Sequence, residues 1–141
     1  MNRQRKVEIT DEDVRSVVQA VFTHEQAGDP NVSVAIVNDA TIREVNREHL
    51  DHDWATDSIA FSYADDPAPD GVDGEVVVSG ETASREAAAR GLDPRHELLL
   101  YVAHGTLHLL GWDDDTPARR LRMNARAAQI LESLGIHEQP S

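Results

Sequence analysis

The sequence predicts a single domain of the α/β (α+β) class, with about four strands in a mixed sheet and about five helices packed on it. Three observations carry that expectation. Apolar residues recur at two different spacings along the chain, every second residue in some segments and every third or fourth in others. Cap and stop residues, such as Thr10, Asp93-Pro94, Gly91 and Gly135, separate these segments. One run, Leu98 to Ala103, is apolar all round, as a helix buried in the middle of a core must be. At 141 residues the chain is long enough to enclose such a core, so residues 1–141 are expected to form one unit.

The elements follow in order. Val7 to Ile9 reads as a short first strand. Thr10 looks like an N-cap, with Asp13 three residues on completing a capping box. Val14, Val17, Val18, Val21 and Phe22 then recur at helical spacing, so helix one is expected to reach about Ala27, before the stop at Gly28-Asp29-Pro30. Val32, Val34, Ile36 and Val37 give a β-branched strand. Asp39 is placed to cap a second helix that turns Ile42 and Val45 inward and ends near Leu50. A polar loop with His49, Asp51, His52 and Asp53 follows. Ser58 to Tyr63 reads as a third strand, Asp65 to Gly74 as a Pro/Gly/Asp loop, and Glu75 to Ser79 as a fourth strand. Glu81 to Arg90 is Ala-rich and helical, with Gly91 at C′.

Asp93-Pro94 opens the central helix, with Pro at N1. Glu97, Tyr101, His104 and His108 drift along one of its faces. Thr116-Pro117 opens the last helix, whose inward face is expected to be Leu121, Ala125, Ala128, Leu131 and Leu134. Its opposite face carries Arg119, Arg122 and Arg126, a stripe that reads either as a solvated face or as a phosphate-facing surface.

Composition narrows the function classes. The net charge is −13, from 13 basic and 26 acidic residues, which argues against non-specific nucleic-acid binding and against DNA as a partner. Twelve of the basic residues are Arg, so their placement matters more than their number. There is no cysteine; this fits a cytoplasmic protein and leaves only nitrogen and oxygen to hold a metal. The basic start, Met1 to Lys6, is not followed by an apolar run, so neither a signal peptide nor a membrane partner is expected.

The chemistry concentrates in His104-Gly105-Thr106-Leu107-His108-Leu109-Leu110-Gly111-Trp112-Asp113-Asp114. Histidines four apart on a helix project one turn apart from one face, which is how a helix offers two imidazoles to one metal ion. Gly111 lets the chain turn back, so that Asp113, Asp114 or Asp115 can add a carboxylate. Three protein ligands and an open position describe a catalytic zinc, which lowers the pKa of its bound water toward ~7 and so makes an attacking hydroxide. The spacing His-x-x-x-His-x-x-Gly-x-x-Asp, ending on Asp114, matches that of metzincin-type metalloproteases. Those enzymes carry a Glu directly after the first His as general base, and here that residue is Gly105. The spacing supports one zinc ion, while the missing Glu argues against an enzyme acting on peptides.

The same string resembles the signature of the YbeY family, His-Gly-x-Leu-His-Leu-x-Gly-Tyr-Asp-His. Thr56-Asp57-Ser58-Ile59-Ala60-Phe61 is similar to the family's Thr-Asp-Val-Leu-Ser-Phe strand, and Gly74-Glu75-Val76-Val77-Val78-Ser79 to its Gly-Asp-Ile-Val-Ile-Ser strand. Glu86-Ala87 and Gly91 match the helix that follows, and the similarity runs from about Val32 onward. The resemblance implies a metal-dependent endoribonuclease of ribosomal RNA maturation, with ribosomal RNA or the small subunit as partner and His104, His108 and Asp114 as metal ligands. Two positions depart from the family pattern. Asp114 stands where the family has a third His, and Leu50 where it usually has an Arg. The general base is left open among Asp113, Asp115 and His52. The competing readings are a hydrolase of peptides or small molecules and a weakly catalytic ribosome-associated metalloprotein.

Overall fold

The computed structural model describes residues 9–28, 30–50, 58–63, 73–113 and 115–136, with backbone only at 48–50. The first helix, α1 (Asp11–His24), starts as the sequence requires. Thr10 Oγ1 accepts from the Asp13 amide and the Asp13 carboxylate accepts from the Thr10 amide, both at 3.1 Å. The helix stops at His24, three residues short of the expected end at Ala27; the following Gln26 takes a positive φ of 53°.

Strands β1 (Val32–Val37), β2 (Ser58–Ser62) and β3 (Gly74–Ser79) form a mixed sheet in the order β1-β3-β2. β1 runs parallel to β3, with Val34 opposite Val76, and β2 runs antiparallel to it, with Ile59 opposite Val77. This is three strands among the described residues rather than about four. The strand expected at Val7 to Ile9 mostly precedes them, and Ile9 itself is not in a strand. Most of the loop expected at Asp65 to Gly74 likewise lies outside the described residues.

Side-chain alternation splits the sheet between two cores. Ile36, Val76 and Val78 join one cluster with α1, α3 (Gly80–Arg90), α4 (Pro94–Leu109) and α5 (Pro117–Ser133). Val37, Ile59 and Val77 face the other way, onto Ile42 of α2 (Asp39–Leu50). β3, covered on both sides, is accordingly apolar without a break from Val76 to Val78.

α4 is the buried helix the sequence predicts: Leu98, Leu99, Val102, Ala103 and Leu107 have no exposed surface. It lies directly on β3, with Leu109 over Gly74 and Gly105 over Val76, and so runs antiparallel to that strand. α5 differs from expectation. Its buried face is Met123, Ala127, Ile130 and Leu131, whereas Leu121 is 72% exposed and Ala125 and Ala128 face solvent. The observed set keeps the i, i+4, i+7, i+8 spacing of a single stripe; the expected set lay one position round the helix.

The α2 cap also differs. Asn38, not Asp39, caps α2, its Oδ1 accepting from Thr41 N at 2.8 Å. Asp39 reaches instead to the start of α3, accepting from Ser79 Oγ (2.5 Å), Thr82 Oγ1 (2.7 Å) and Arg85 Nη1 (2.8 Å). Glu81 answers by accepting from the Asp39 amide at 2.7 Å. Burial alone would raise the Asp39 pKa, but the donors from Ser79, Thr82 and Arg85 together outweigh it and hold the carboxyl below its ordinary value.

Candidate metal centre

His104 and His108 lie on the continuous last turns of α4, so their Cβ atoms stand about 5–6 Å apart on one side of the helix. Both are half-buried, and His104 Nε2 is sealed from solvent. The rest of the predicted face does not share their setting. Tyr101 is in the core, and Glu97, 7% exposed, is ion-paired with Arg90. The face is therefore a structural seam at its start and opens toward chemistry only near His108.

The turn after α4 explains how His108 is held. Leu110 is the C-cap, Gly111 takes φ 98°, and two bonds close the end: Gly111 N to His108 O (3.0 Å) and Trp112 N to Leu107 O (3.1 Å). This brings the Trp112 carbonyl back over the helix, where it lies 2.9 Å from His108 Nδ1. A carbonyl only accepts, so Nδ1 carries the proton, and in the neutral ring the lone pair is on Nε2. That arrangement is the usual support for a metal-ligating histidine. His108 and Leu109 line a cavity of about 350 Å³ with Ser58, Ile59, Ala60 and Ser62 of β2, so the imidazole opens against the strand whose sequence follows Thr56-Asp57.

Donor chemistry decides whether a metal suits these residues. Two neutral imidazoles one turn apart fit zinc, and the chain has no thiolate to compete. Among the described residues no group of three His, Cys, Asp or Glu side chains converges to hold an ion. The expected third ligand, Asp114, lies outside the described residues, as do Asp51, His52 and Asp53; His49, expected in the loop, instead falls in the last turn of α2 with Leu50, where only the backbone is described. Asp113 is exposed and lines a second cleft, about 290 Å³, with Gly111, Trp112, Arg119 and Arg122. Asp115 is engaged elsewhere. Arg119 Nη1 donates to both of its oxygens at 2.9 and 3.1 Å, which holds its carboxyl below the ordinary range.

The arginine stripe is divided by the structure. Arg119 and Arg122 are exposed beside the second cleft. Arg126 is turned inward, with Nε 2.7 Å from Glu25 Oε2 and Nη2 3.1 Å from the His24 carbonyl oxygen. It flanks the buried stripe of α5 and ties that helix to the end of α1, so it is not part of a phosphate-facing surface. Sequence reasoning missed this Glu25–Arg126 pair and the bond from Trp112 Nε1 to Glu25 Oε1 at 2.7 Å. The bonded residues are 101 and 87 positions apart, and neither pairing leaves a local pattern. Gly105 carries a signal that sequence reasoning reads only in part. Its missing side chain excludes a base, but it also seats α4 on β3, because a Cβ there would lie 2.4 Å from Val76 Cγ1.

A family model described as Endoribonuclease YbeY matches residues 1–135, so the likeness also covers the chain before Val32. The chain is 46% identical over 108 residues to the Endoribonuclease YbeY of Rhodopirellula baltica, covering 75% of this chain and 55% of that relative. It is 37% identical to that of Moorella thermoacetica, covering 85% and 83% of the two chains. It is 34% identical to that of Syntrophotalea carbinolica, covering 92% and 90%. The solution structure of TM1509 from Thermotoga maritima shares the fold, with TM-score 0.59 and 23% identity over 95% of this chain and 91% of that one.

Proposed function

This chain belongs to the Endoribonuclease YbeY family, and on that premise we propose that it is a zinc-dependent endoribonuclease of ribosomal RNA processing, working in the cytoplasm as one domain. The observation that carries the metal half of the reading is the bond from His108 Nδ1 to the Trp112 carbonyl, which presets Nε2 as a ligand on the same helix face as His104. His104, His108 and Asp114 would hold the ion; when bound, zinc supplies an acidified water and polarises a phosphoryl oxygen.

The chain's own residues do the rest. The cavity beside Ser58 to Ser62 gives the RNA backbone an approach to His108. Arg122 and, in exchange for its pairing with Asp115, Arg119 line the cleft with Trp112 and supply positive charge for phosphates despite the acidic total. Asp113 on that turn, and His52, are the candidates to move a proton. No helix among the described residues is long and apolar enough to cross a membrane.

The test is cleavage of a ribosomal RNA precursor with and without chelator, for the wild type and for His108→Ala. Chelator-sensitive cutting that disappears in the variant is expected. Cutting that survives both treatments refutes the metal mechanism. A second reading, a ribosome-associated metalloprotein with weak cleavage, is favoured by Leu50 in place of the family's Arg and by the turning of Arg126 to Glu25. Zinc binding and ribosome association without cleavage would select it.

A further inference from the structure

Glu25 uses both carboxylate oxygens on elements far away in sequence. Oε1 accepts from Trp112 Nε1 and Oε2 from Arg126 Nε, each at 2.7 Å. The carboxylate side chain is 15% exposed and that of Arg126 28%, so the pair is largely shielded from water, where charge-assisted bonds hold better than on an open surface. Trp112 is in turn the residue whose carbonyl accepts the hydrogen bond from His108 Nδ1. A continuous path therefore runs from Arg126 on α5, through Glu25 at the end of α1, to Trp112 and then His108. Around it the turn is open: Gly111 and Asp113, the neighbours of Trp112, are both exposed.

We infer that Glu25 is a positioning residue for the metal centre. By anchoring the Trp112 indole it fixes the turn after Gly111, and with it the carbonyl that sets the tautomer and rotation of the His108 ring. Arg126 decides how the Glu25 carboxylate faces. Without the anchor the turn keeps the Trp112 N–H bond to Leu107 and the packing of the indole on the core, but it loses the one side-chain bond that sets the indole's orientation, with Gly111 as a hinge beside it. The carbonyl then leaves Nδ1 for part of the time, and the ring is no longer preset to offer Nε2. The inference rests on reading His108 as a metal ligand.

The test compares the wild type with Glu25→Ala, Glu25→Gln and Trp112→Phe by two measurements, with His108→Ala as the control for the first. One is zinc affinity by competition with a chromophoric chelator. The other is the tautomer of the His108 ring in metal-free protein, read from its nitrogen chemical shifts. The wild type should show the Nδ1–H form. Glu25→Ala and Trp112→Phe should each lower zinc affinity by about tenfold, the lower end for outer-shell partners, and mix the two tautomers. Glu25→Gln keeps an oxygen for the indole and should retain most of the affinity. Trp112→Phe removes the donor while keeping an aromatic ring, so the expectation stands even where Glu25→Ala folds poorly. Wild-type affinity and tautomer in both Glu25→Ala and Trp112→Phe would overturn the inference while His108→Ala still lost its zinc. Weaker zinc with an unchanged tautomer would mark a merely structural role and also overturn it. Wild-type zinc binding in His108→Ala would instead overturn the ligand reading, and this inference with it.

Discussion

Gly105→Ala isolates what holds α4 against β3. Gly105 is buried, and an added Cβ would sit 2.4 Å from Val76 Cγ1 and 3.4 Å from Cγ2. Ordinary contact begins near 3.4 Å, so α4 and β3 must part by about 1 Å, or Val76 must leave its rotamer. Val76 is fully buried and stiff at χ1, so neither movement is cheap. Overpacking of this kind costs about 1–3 kcal/mol, and the closeness of the contact argues for the top of that range. Ala is favoured over Gly in a helix by ~1 kcal/mol, which offsets part of the cost. The net expectation is destabilisation by about 2 kcal/mol, or a fall of roughly 6–8 °C in Tm for a chain of this size. Urea unfolding of Gly105→Ala, Val76→Ala and the double variant gives the assay. Val76→Ala removes both γ-methyl groups, so the double variant should be more stable than the sum of the singles by about 1–3 kcal/mol. Additive free energies, or a Gly105→Ala protein as stable as wild type, would refute the packing argument.

The remaining predictions concern the site and its surroundings. His104→Ala and His108→Ala should each strip most bound zinc, measured by metal analysis, and zinc affinity in the wild type should fall as pH drops, because protonated imidazole cannot ligate. Asp114→Ala should also lose most of the metal and Asp114→His should keep it, whereas Asp113→Ala and Asp115→Ala should lose less; Asp113→Ala alone emptying the site would reassign the third ligand. Arg119→Gln with Arg122→Gln should flatten the salt dependence of RNA binding by about 0.7 in log–log slope for each phosphate no longer neutralised, while Arg126→Gln should show mainly as lower stability. Asp39, held below its ordinary pKa, contributes stability that is present above the unfolded carboxylate pKa and is lost as pH falls through the lower folded value. Urea midpoints measured between neutral and acid pH should therefore converge for wild type and Asp39→Asn.

What the sequence made legible was local. The capping box at Thr10–Asp13, Pro94 at N1, the Gly91 and Gly111 turns and the all-apolar run of α4 each depend on residues within a turn or two, and each stands in the structure where it was expected. The pair His104–His108 was legible for the same reason. Choices among near-equals were not. Asn38 and Asp39 both suit an N-cap, and only the arrival of Ser79, Thr82 and Arg85 draws Asp39 away. The α5 face held only at Leu131: Leu121, Ala125 and Ala128 repeat as regularly as Met123, Ala127 and Ile130, and helical spacing alone does not tell which stripe meets the core. The Arg stripe looked uniform because charge pattern does not show that Glu25 waits beside position 126.

The seat of Gly105 also bears on where proton transfer can come from. In the metzincin-type pattern the base follows the first histidine on the same helix, so that one element supplies both ligand and base. Here the bond from Cα at that position points into Val76, so even a Glu placed there would enter the sheet rather than the cavity beside His108. α4 offers no substitute on the required side, since Glu97 is buried two turns away and ion-paired with Arg90. A base for the proposed reaction would then come from outside the helix. Asp115 is committed to Arg119, which keeps its carboxyl acidic and a weak base. Of the three candidates that leaves the exposed Asp113, on the turn that Trp112 anchors, and His52. A pH–rate profile of Asp113→Asn against His52→Ala distinguishes them: the group that serves as base is the one whose loss removes the acidic limb of the profile while zinc stays bound.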